Sequence, residues 1–250
     1  MKRIFTPSTC RDYAELSEIE RERSQIVDTT QMQTLAEVDG FRYEVATEDF
    51  ADAIVTVLSE SFCREPMSAA LGLSARDLER LVDRFMPECI TNGLSVIAVP
   101  VDEPDTLAGV FISRDFKSPV PDGIPADFPW FSPIVEALMT VGEVYEAKRP
   151  GLTLGDAVDL WMVGVRSGSR FAKRGIASTL FRISADLACS RGFKRCVTEC
   201  TGHYSQTAAR KNGFQERARL AYRDFRFEGS AVFAGIEPPH THVILLEREF

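Results

Sequence analysis

The chain is poor in the residues that build metal and redox centres. Its six cysteines (Cys10, Cys63, Cys89, Cys189, Cys196 and Cys200) show no C-x-x-C spacing, so neither a zinc ribbon nor a dithiol pair is written into it. Cys63, Cys89, Cys189 and Cys196 fall in apolar patterns and are expected as buried, reduced thiols. Histidine occurs three times. His240 and His242 would share one face of a strand, but no other ligands cluster with them, and no metal is expected. Long apolar runs are also missing. No stretch approaches a membrane span, and the opening MKRIFTPSTCRDYAELSEIERERSQ lacks the apolar core of a secretory signal, so a cytoplasmic protein with no membrane partner is expected. Positive charge is in deficit. The formal net charge of −8 repels backbone phosphate over most of the surface and argues against a general nucleic-acid binder.

Core-forming material is plentiful, at 44% hydrophobic residues, and it is patterned. Residues 1–38 are charge-rich and predict an N-terminal helical arm, with one domain over 39–250. Residues 41–45 alternate as a first strand. Thr47 is placed to cap a helix carrying Phe50, Ile54, Val57, Leu58 and Ser61 on one side. Ser74 and Asp77 form a capping-box signature ahead of a stripe of Leu78, Leu81, Val82, Phe85, Met86 and Cys89. Two apolar strands, 94–99 and 107–112, flank a turn at 102–105. A proline-rich stretch over 118–133 precedes a helix at 134–147 and a strand at 157–165. A further helix buries Ile176, Leu180, Ile183 and Leu187 and stops at Gly192. Then follow a strand at 193–200, a short helix at 203–211 closed by Asn212-Gly213, and strands at 214–227 and 241–250. The expected architecture is one α/β domain, a mixed central β-sheet flanked by helices.

Residues 163–177, VGVRSGSRFAKRGIA, carry the densest chemistry. A strand runs into a loop with four cationic side chains and then into a helix start set by Gly175. Free amides and the positive end of a helix dipole converge there, as a phosphorylated ligand requires. An ordinary solvated basic turn is the alternative reading.

This loop and the order of elements resemble the Gcn5-related N-acetyltransferase (GNAT) superfamily. Its Q/R-x-x-G-x-G/A motif follows a strand, opens a helix and holds the pyrophosphate of acetyl-CoA. Arg174-Gly175-Ile176-Ala177 fits the core of that motif. The Q/R position falls on Ala172, with Arg170 and Lys173 as replacements, and the loop is about two residues longer than usual. Asn212-Gly213-Phe214 resembles the family's closing segment. Within the family, Glu65-Pro66-Met67 and the Leu71-Gly72 that follows resemble the arylalkylamine N-acetyltransferases of the insect type, as do residues 201–205 and 238–242.

The resemblance implies acetyl-CoA as co-substrate, a small-molecule amine acceptor, and a monomer or homodimer. It implies a sheet splayed at the acetyl-CoA site. Backbone amides of Val163 and Val165 would meet the acetyl and pantetheine groups, and Gly164 would permit close approach of the thioester. Amides of residues 171–176 would take the pyrophosphate, making Arg170, Phe171, Ala172, Lys173, Arg174, Gly175, Ile176 and Ala177 the cofactor-binding set. Glu65 maps to the general base; as a surface residue beside a helix-ending proline it would do nothing. The family's acidic tyrosine falls on Ala209, which leaves Tyr204 and Ser205 as substitutes; helix packing is the plain role for Tyr204 and capping for His203. Phe128, Trp130, Phe131 and Phe233 either line an acceptor slot or anchor loops to the core. A protein N-terminus or lysine as acceptor, and a non-catalytic acyl-CoA-binding protein on the same fold, are the competing functions.

Overall fold

Residues 157–165 alternate buried and part-buried side chains and form β5 (Ala157–Val165), the strand around which the sheet is organised. The computed structural model describes residues 33–119 and 124–250. Besides β5, the strands are β1 (Thr34–Val38), β2 (Phe41–Val45), β3 (Val96–Pro100), β4 (Gly109–Asp115), β6 (Arg195–Cys200), β7 (Gln215–Ala221) and β8 (His242–Glu249). They make one sheet in the order β1-β2-β3-β4-β5-β6-β8-β7. Every neighbouring pair is antiparallel except β5 and β6, which run parallel. The helices are α1 (Ala51–Phe62), α2 (Pro66–Ala70), α3 (Ala75–Thr91), α4 (Ile124–Asp127), α5 (Ser132–Lys148), α6 (Ile176–Ser190) and α7 (His203–Lys211). The mixed sheet with flanking helices matches the α/β expectation.

Alternation sorts the core onto two faces. Val96 and Ala98 join Phe111, Leu160, Leu180 and Phe181 under α6. Their neighbours Ile97 and Val99 join Val110, Ile112 and Met162 under α1 and α3. A third cluster lies under α5, where Tyr145, Val141 and Ala137 meet Val197, Val243, Leu245 and Phe233. Ser74 and Asp77 form the expected capping box at α3, and the stripe behind it is buried.

Several boundaries differ from those the sequence predicts. Residues 34–38 are not the end of a helical arm but the edge strand β1, joined to β2 by a turn in which Asp39 and Gly40 both have positive φ, 52° and 80°; the remaining arm residues, 1–32, lie outside the described residues. Thr47 precedes a single 3-10 turn (Glu48–Phe50) and makes no side-chain cap. Cys189 is exposed, whereas Cys89, Cys196 and Cys200 are buried and Cys63 is part-buried; Cys10 lies outside the described residues. The strand expected to reach residue 227 ends at Ala221, because Tyr222 and Phe225 turn inward to pack on Phe233. Among the described residues no helix is long and apolar enough to cross a membrane.

Candidate active site

The sheet opens in the middle. β5 and β6 pair only at Ala157↔Arg195, Val158↔Cys196 and Asp159↔Val197. On the other side of β5, Leu160 opposes Ser113 and Met162 opposes Ile112, so Trp161 is an extra, bulged residue. A bulge bends its strand, and beyond this one β5 stays with β4 and parts from β6. The Arg166 amide donates to the Ala108 carbonyl at 2.9 Å. Antiparallel parity then turns the amides of Arg166 and Gly164 toward β4, and those of Val163 and Val165 toward the gap.

Gly109 brings a helix start to that gap. A Cβ there would lie 2.9 Å from Ile176 Cγ2 and 3.3 Å from Leu180 Cδ1, so only glycine lets the first turn of α6 sit directly on β4. Gly175 caps α6 with φ of 77°, a left-handed conformation in which a side chain is strained. In the loop ahead of it, the amides of Phe171 and Ala172 both donate to the Gly168 carbonyl, at 3.2 and 3.0 Å. The Thr179 amide donates to Gly175 at 2.9 Å. The amides of residues 173–178 in between have no hydrogen-bond partner among the described residues. Helix dipole and unpaired donors make this an anion-binding corner.

The loop's cations have different duties. Arg170 pairs with Glu103 at 2.5 Å and reaches Asp102 at 3.5 Å, pinning the loop to the turn between β3 and β4. Arg174 donates to the Asp39 carbonyl at 3.1 Å and stacks over Phe41. Lys173, exposed and with positive φ, has no partner among the described residues. Phe171 and Ile176 are buried in the core under α6. Of the eleven residues expected to bind cofactor, Phe171 and Ala172 therefore have occupied amides, and the free run is shifted two residues toward α6. Gly164 also has a different duty: a Cβ there would meet Leu58 Cδ2 and Ser61 Oγ at 3.1 Å and the Val57 carbonyl at 3.3 Å. Its missing side chain admits α1, not a ligand.

A cavity of about 290 Å³ passes through the splay. Phe111, Val163 and Phe181 line it on one side, and Phe131, Ile134, Leu138 and Trp161 contribute apolar wall. Arg64, Glu65, Ser205, Tyr204, Thr201, Glu199 and His240 are among its polar groups. Glu65 is the N-cap of α2: its Oε2 accepts from the Met67 amide at 3.0 Å. Its Oε1 is buried and has no hydrogen-bond partner among the described residues, and the Thr201 side chain lies beside the carboxyl group. Burial pushes the Glu65 carboxyl up to about 7, against the pull of Thr201 and the amides of Met67 and Ser68. Ser205 Oγ donates to the Gly202 carbonyl at 2.9 Å. Tyr204 is 73% exposed at the cavity rim, edge-on to both His203 and His240. The Tyr222 hydroxyl donates to the Thr201 carbonyl, and burial followed by the Glu65 charge raises its pKa.

Glu65, Tyr204 and Ser205, the residues expected to be catalytic, line one cavity. Of the four aromatics expected near the acceptor, Phe131 lines the cavity while Phe128 and Phe233 are buried in the core and Trp130 packs on it. Trp161 and Glu199 are cavity residues that sequence patterning does not reveal, because each reads as one position in an ordinary strand. Ala209, on α7, is fully buried in the core cluster that includes Phe111 and Phe181. Among the described residues no group of three or more His, Cys, Asp or Glu side chains is arranged to hold a metal.

No family model matches the sequence. Solved structures do. Arylalkylamine N-acetyltransferase 2 from Aedes aegypti superposes with a TM-score of 0.69 at 21% identity, covering 84% of this chain and 99% of its own. The C-terminal condensation domain of Ebony, in complex with beta-alanyl-dopamine, gives 0.70 at 13% identity over 84% and 99%. Drosophila melanogaster polyamine N-acetyltransferase gives 0.63 at 16% identity over 84% and 100%. With its splayed parallel pair, its bulge beside the gap and its glycine-capped helix at the mouth, the chain has the Gcn5-related N-acetyltransferase fold.

Proposed function

We propose that this protein is an acetyl-CoA-dependent N-acetyltransferase that passes acetyl directly to the primary amine of a small acceptor. The observation that carries the reading is the unpaired amide run at 173–178, set at the mouth of a splay whose cavity holds a desolvated carboxyl. Those amides and Lys173 fit a pyrophosphate by charge and donor count. The outward amides of Val163 and Val165 fit an amide-bearing arm laid along the gap. Acetyl-CoA supplies an activated thioester whose thiolate leaves without strong protonation. The chain's own residues supply position and a proton acceptor.

Glu65 suits that second task. With its pKa near 7, it is partly ionised at neutral pH and basic enough to take a proton from an acceptor ammonium, directly or through water. Thr201, Ser205 and Tyr204 line the same wall and can orient the acceptor or return a proton to the leaving thiolate. Fold relatives named for arylalkylamine and polyamine acceptors support amine acetylation. A cavity of about 290 Å³ with largely apolar walls is sized for a small acceptor.

The test is thiol release from acetyl-CoA against aryl, alkyl and polyamine acceptors, with short lysine peptides alongside and Glu65→Gln as control. Turnover with small amines and none with peptides is the expected result. Tight acetyl-CoA binding with no turnover on any acceptor would replace this reading with a non-catalytic acyl-CoA-binding protein.

A further inference from the structure

The turn that follows β6 is held by side chains instead of by a neighbouring strand. Val197 is the last partner of β5, and Cys200 the last partner of β8. Four backbone groups beyond the splay are then taken up in another way. The Cys200 carbonyl accepts from Gln206 Nε2 at 3.1 Å, and the Gly202 carbonyl accepts from Ser205 Oγ at 2.9 Å. The Thr201 carbonyl accepts from the Tyr222 hydroxyl, and the His203 amide donates to His240 Nδ1 at 3.1 Å. Gln206 and Ser205 belong to α7, which continues the turn. Tyr222 and His240 come from the two ends of the connection between β7 and β8, whose base the Tyr222 amide closes on the Thr241 carbonyl at 3.1 Å.

The Thr201 side chain lies beside the Glu65 carboxyl and favours its charged form against burial. Where Thr201 sits therefore bears on the base. Tyr222 is 2% exposed, and its ring meets Phe233 at 6.0 Å between centroids, with Phe233 in turn stacked on Phe225. That packing aims the hydroxyl at the turn whether or not the hydrogen bond is made. Burial, then the charge of Glu65 and then Cys200, keep the hydroxyl protonated, so it remains a donor. We infer that Tyr222 is a positioning residue: its hydroxyl, bonded to the Thr201 carbonyl, holds the Thr201 side chain against Glu65, the proton acceptor of the proposed reaction. The inference rests on the acetyl-transfer reading for the proton that Glu65 takes. The other titratable or charged groups lining the cavity with Glu65 are Arg64 on its own loop, Glu199 and Cys200 on β6, Tyr204 on α7 and His240 before β8. β4, β5, α3, α5 and α6 add only apolar side chains there. Tyr222→Phe alters none of these groups and leaves the ring on Phe233, so a change at Glu65 between the two proteins comes through one hydroxyl.

Glu65 is titrated directly in the full chain by carboxyl-carbon NMR with labelled glutamate, its signal assigned by its loss in Glu65→Gln. This readout needs no turnover. Tyr222→Phe is expected to raise the Glu65 midpoint by about 0.5 to 1 pH unit, as losing a hydrogen bond that favours the charged form does. Thr201→Val raises it by a similar amount, Thr201→Ser leaves it near its original place, and the double variant Tyr222→Phe with Thr201→Val goes no further than Thr201→Val alone. The rising limb of kcat/KM, followed by thiol release from acetyl-CoA with phenylethylamine, butylamine or putrescine, moves to higher pH by the same amount in Tyr222→Phe. A Glu65 midpoint equal in Tyr222→Phe and the unaltered protein overturns the inference. So does a double variant whose shift is the sum of the two single shifts, because Tyr222 then acts on Glu65 without Thr201. If none of the amines is acetylated, the acetyl-transfer reading fails separately, and the NMR midpoints alone decide whether Tyr222 places Thr201 against Glu65.

Discussion

Glu65 has two duties, capping α2 through Oε2 and presenting a desolvated carboxyl to the cavity. Glu65→Gln keeps an acceptor for the Met67 amide and removes the base, so turnover falls roughly 100- to 10,000-fold while acetyl-CoA affinity changes little. In the unaltered protein kcat/KM rises with pH through about 7 as Glu65 ionises; the variant lacks that rise. The same shift has a stability consequence of opposite sense. A carboxyl whose pKa is 4.5 in the unfolded chain and about 7 when folded contributes stability below 4.5 that is lost as pH rises through 7. The difference is about 3 kcal/mol, and Glu65→Gln flattens that part of a denaturation-against-pH profile. Gly164→Ala separates packing from ligand contact: its Cβ meets Leu58 and Ser61 at 3.1 Å, so about 1–3 kcal/mol of stability is lost by urea titration.

At the scale of elements, the loop between β5 and α6 ties Arg170 and Arg174 to the protein and leaves Lys173 exposed. Lys173→Ala is expected to weaken acetyl-CoA binding about tenfold with no change in melting temperature, because the exposed side chain makes no hydrogen bond or ion pair with a described residue. Arg174→Ala also loses its stack on Phe41 and its bond to Asp39, about 1 kcal/mol of stability. Elements of this kind were largely legible in the sequence. The stripe of α3, the strand feeding the basic loop and the glycine at 175 follow from periodicity and from turn chemistry. β1 was legible as well, through the Asp39-Gly40 hairpin signal, but the neighbouring run of charges masked it. Trp161 and Glu199 were not legible, for a tertiary reason. Alternation tells which residues share a face, and only the bulge and the splay tell that a face is a cavity wall. The duty of Gly164 was misread for the same cause: local sequence shows the absence of a side chain, not whether a helix or a ligand fills the space.

Across the whole molecule, one buried carboxylate ties the C-terminal half together. Glu247 of β8 is 1% exposed and accepts from the Tyr145 hydroxyl at 2.7 Å, Arg149 at 2.8 Å and Arg217 at 2.7 Å, with Arg195 at 3.4 Å. α5, β6, β7 and β8 meet on it. Burial pushes its pKa up, but Arg149, Tyr145 and Arg217 prevail and hold it below the usual carboxylate value. Its stabilising effect is therefore present above that usual value and lost as pH falls through the lowered one, opposite to Glu65. Glu247→Ala strands three cations around a void and is expected to remove about 3–5 kcal/mol, read by urea denaturation. Together the two kinds of acid predict a melting temperature that climbs as pH drops from about 8 to about 5 and falls below about 4. The three rungs between β5 and β6 have a mechanical meaning as well. β1 to β5 and β6 to β8 are two leaves hinged at one end, and the open amides of Val163 and Val165 are half of an unfinished ladder. A ligand with amides of its own lies there as a splint between the leaves, so hydrogen exchange along β5 and β6 slows when it binds, and the protein is stiffest while it holds what it acts upon.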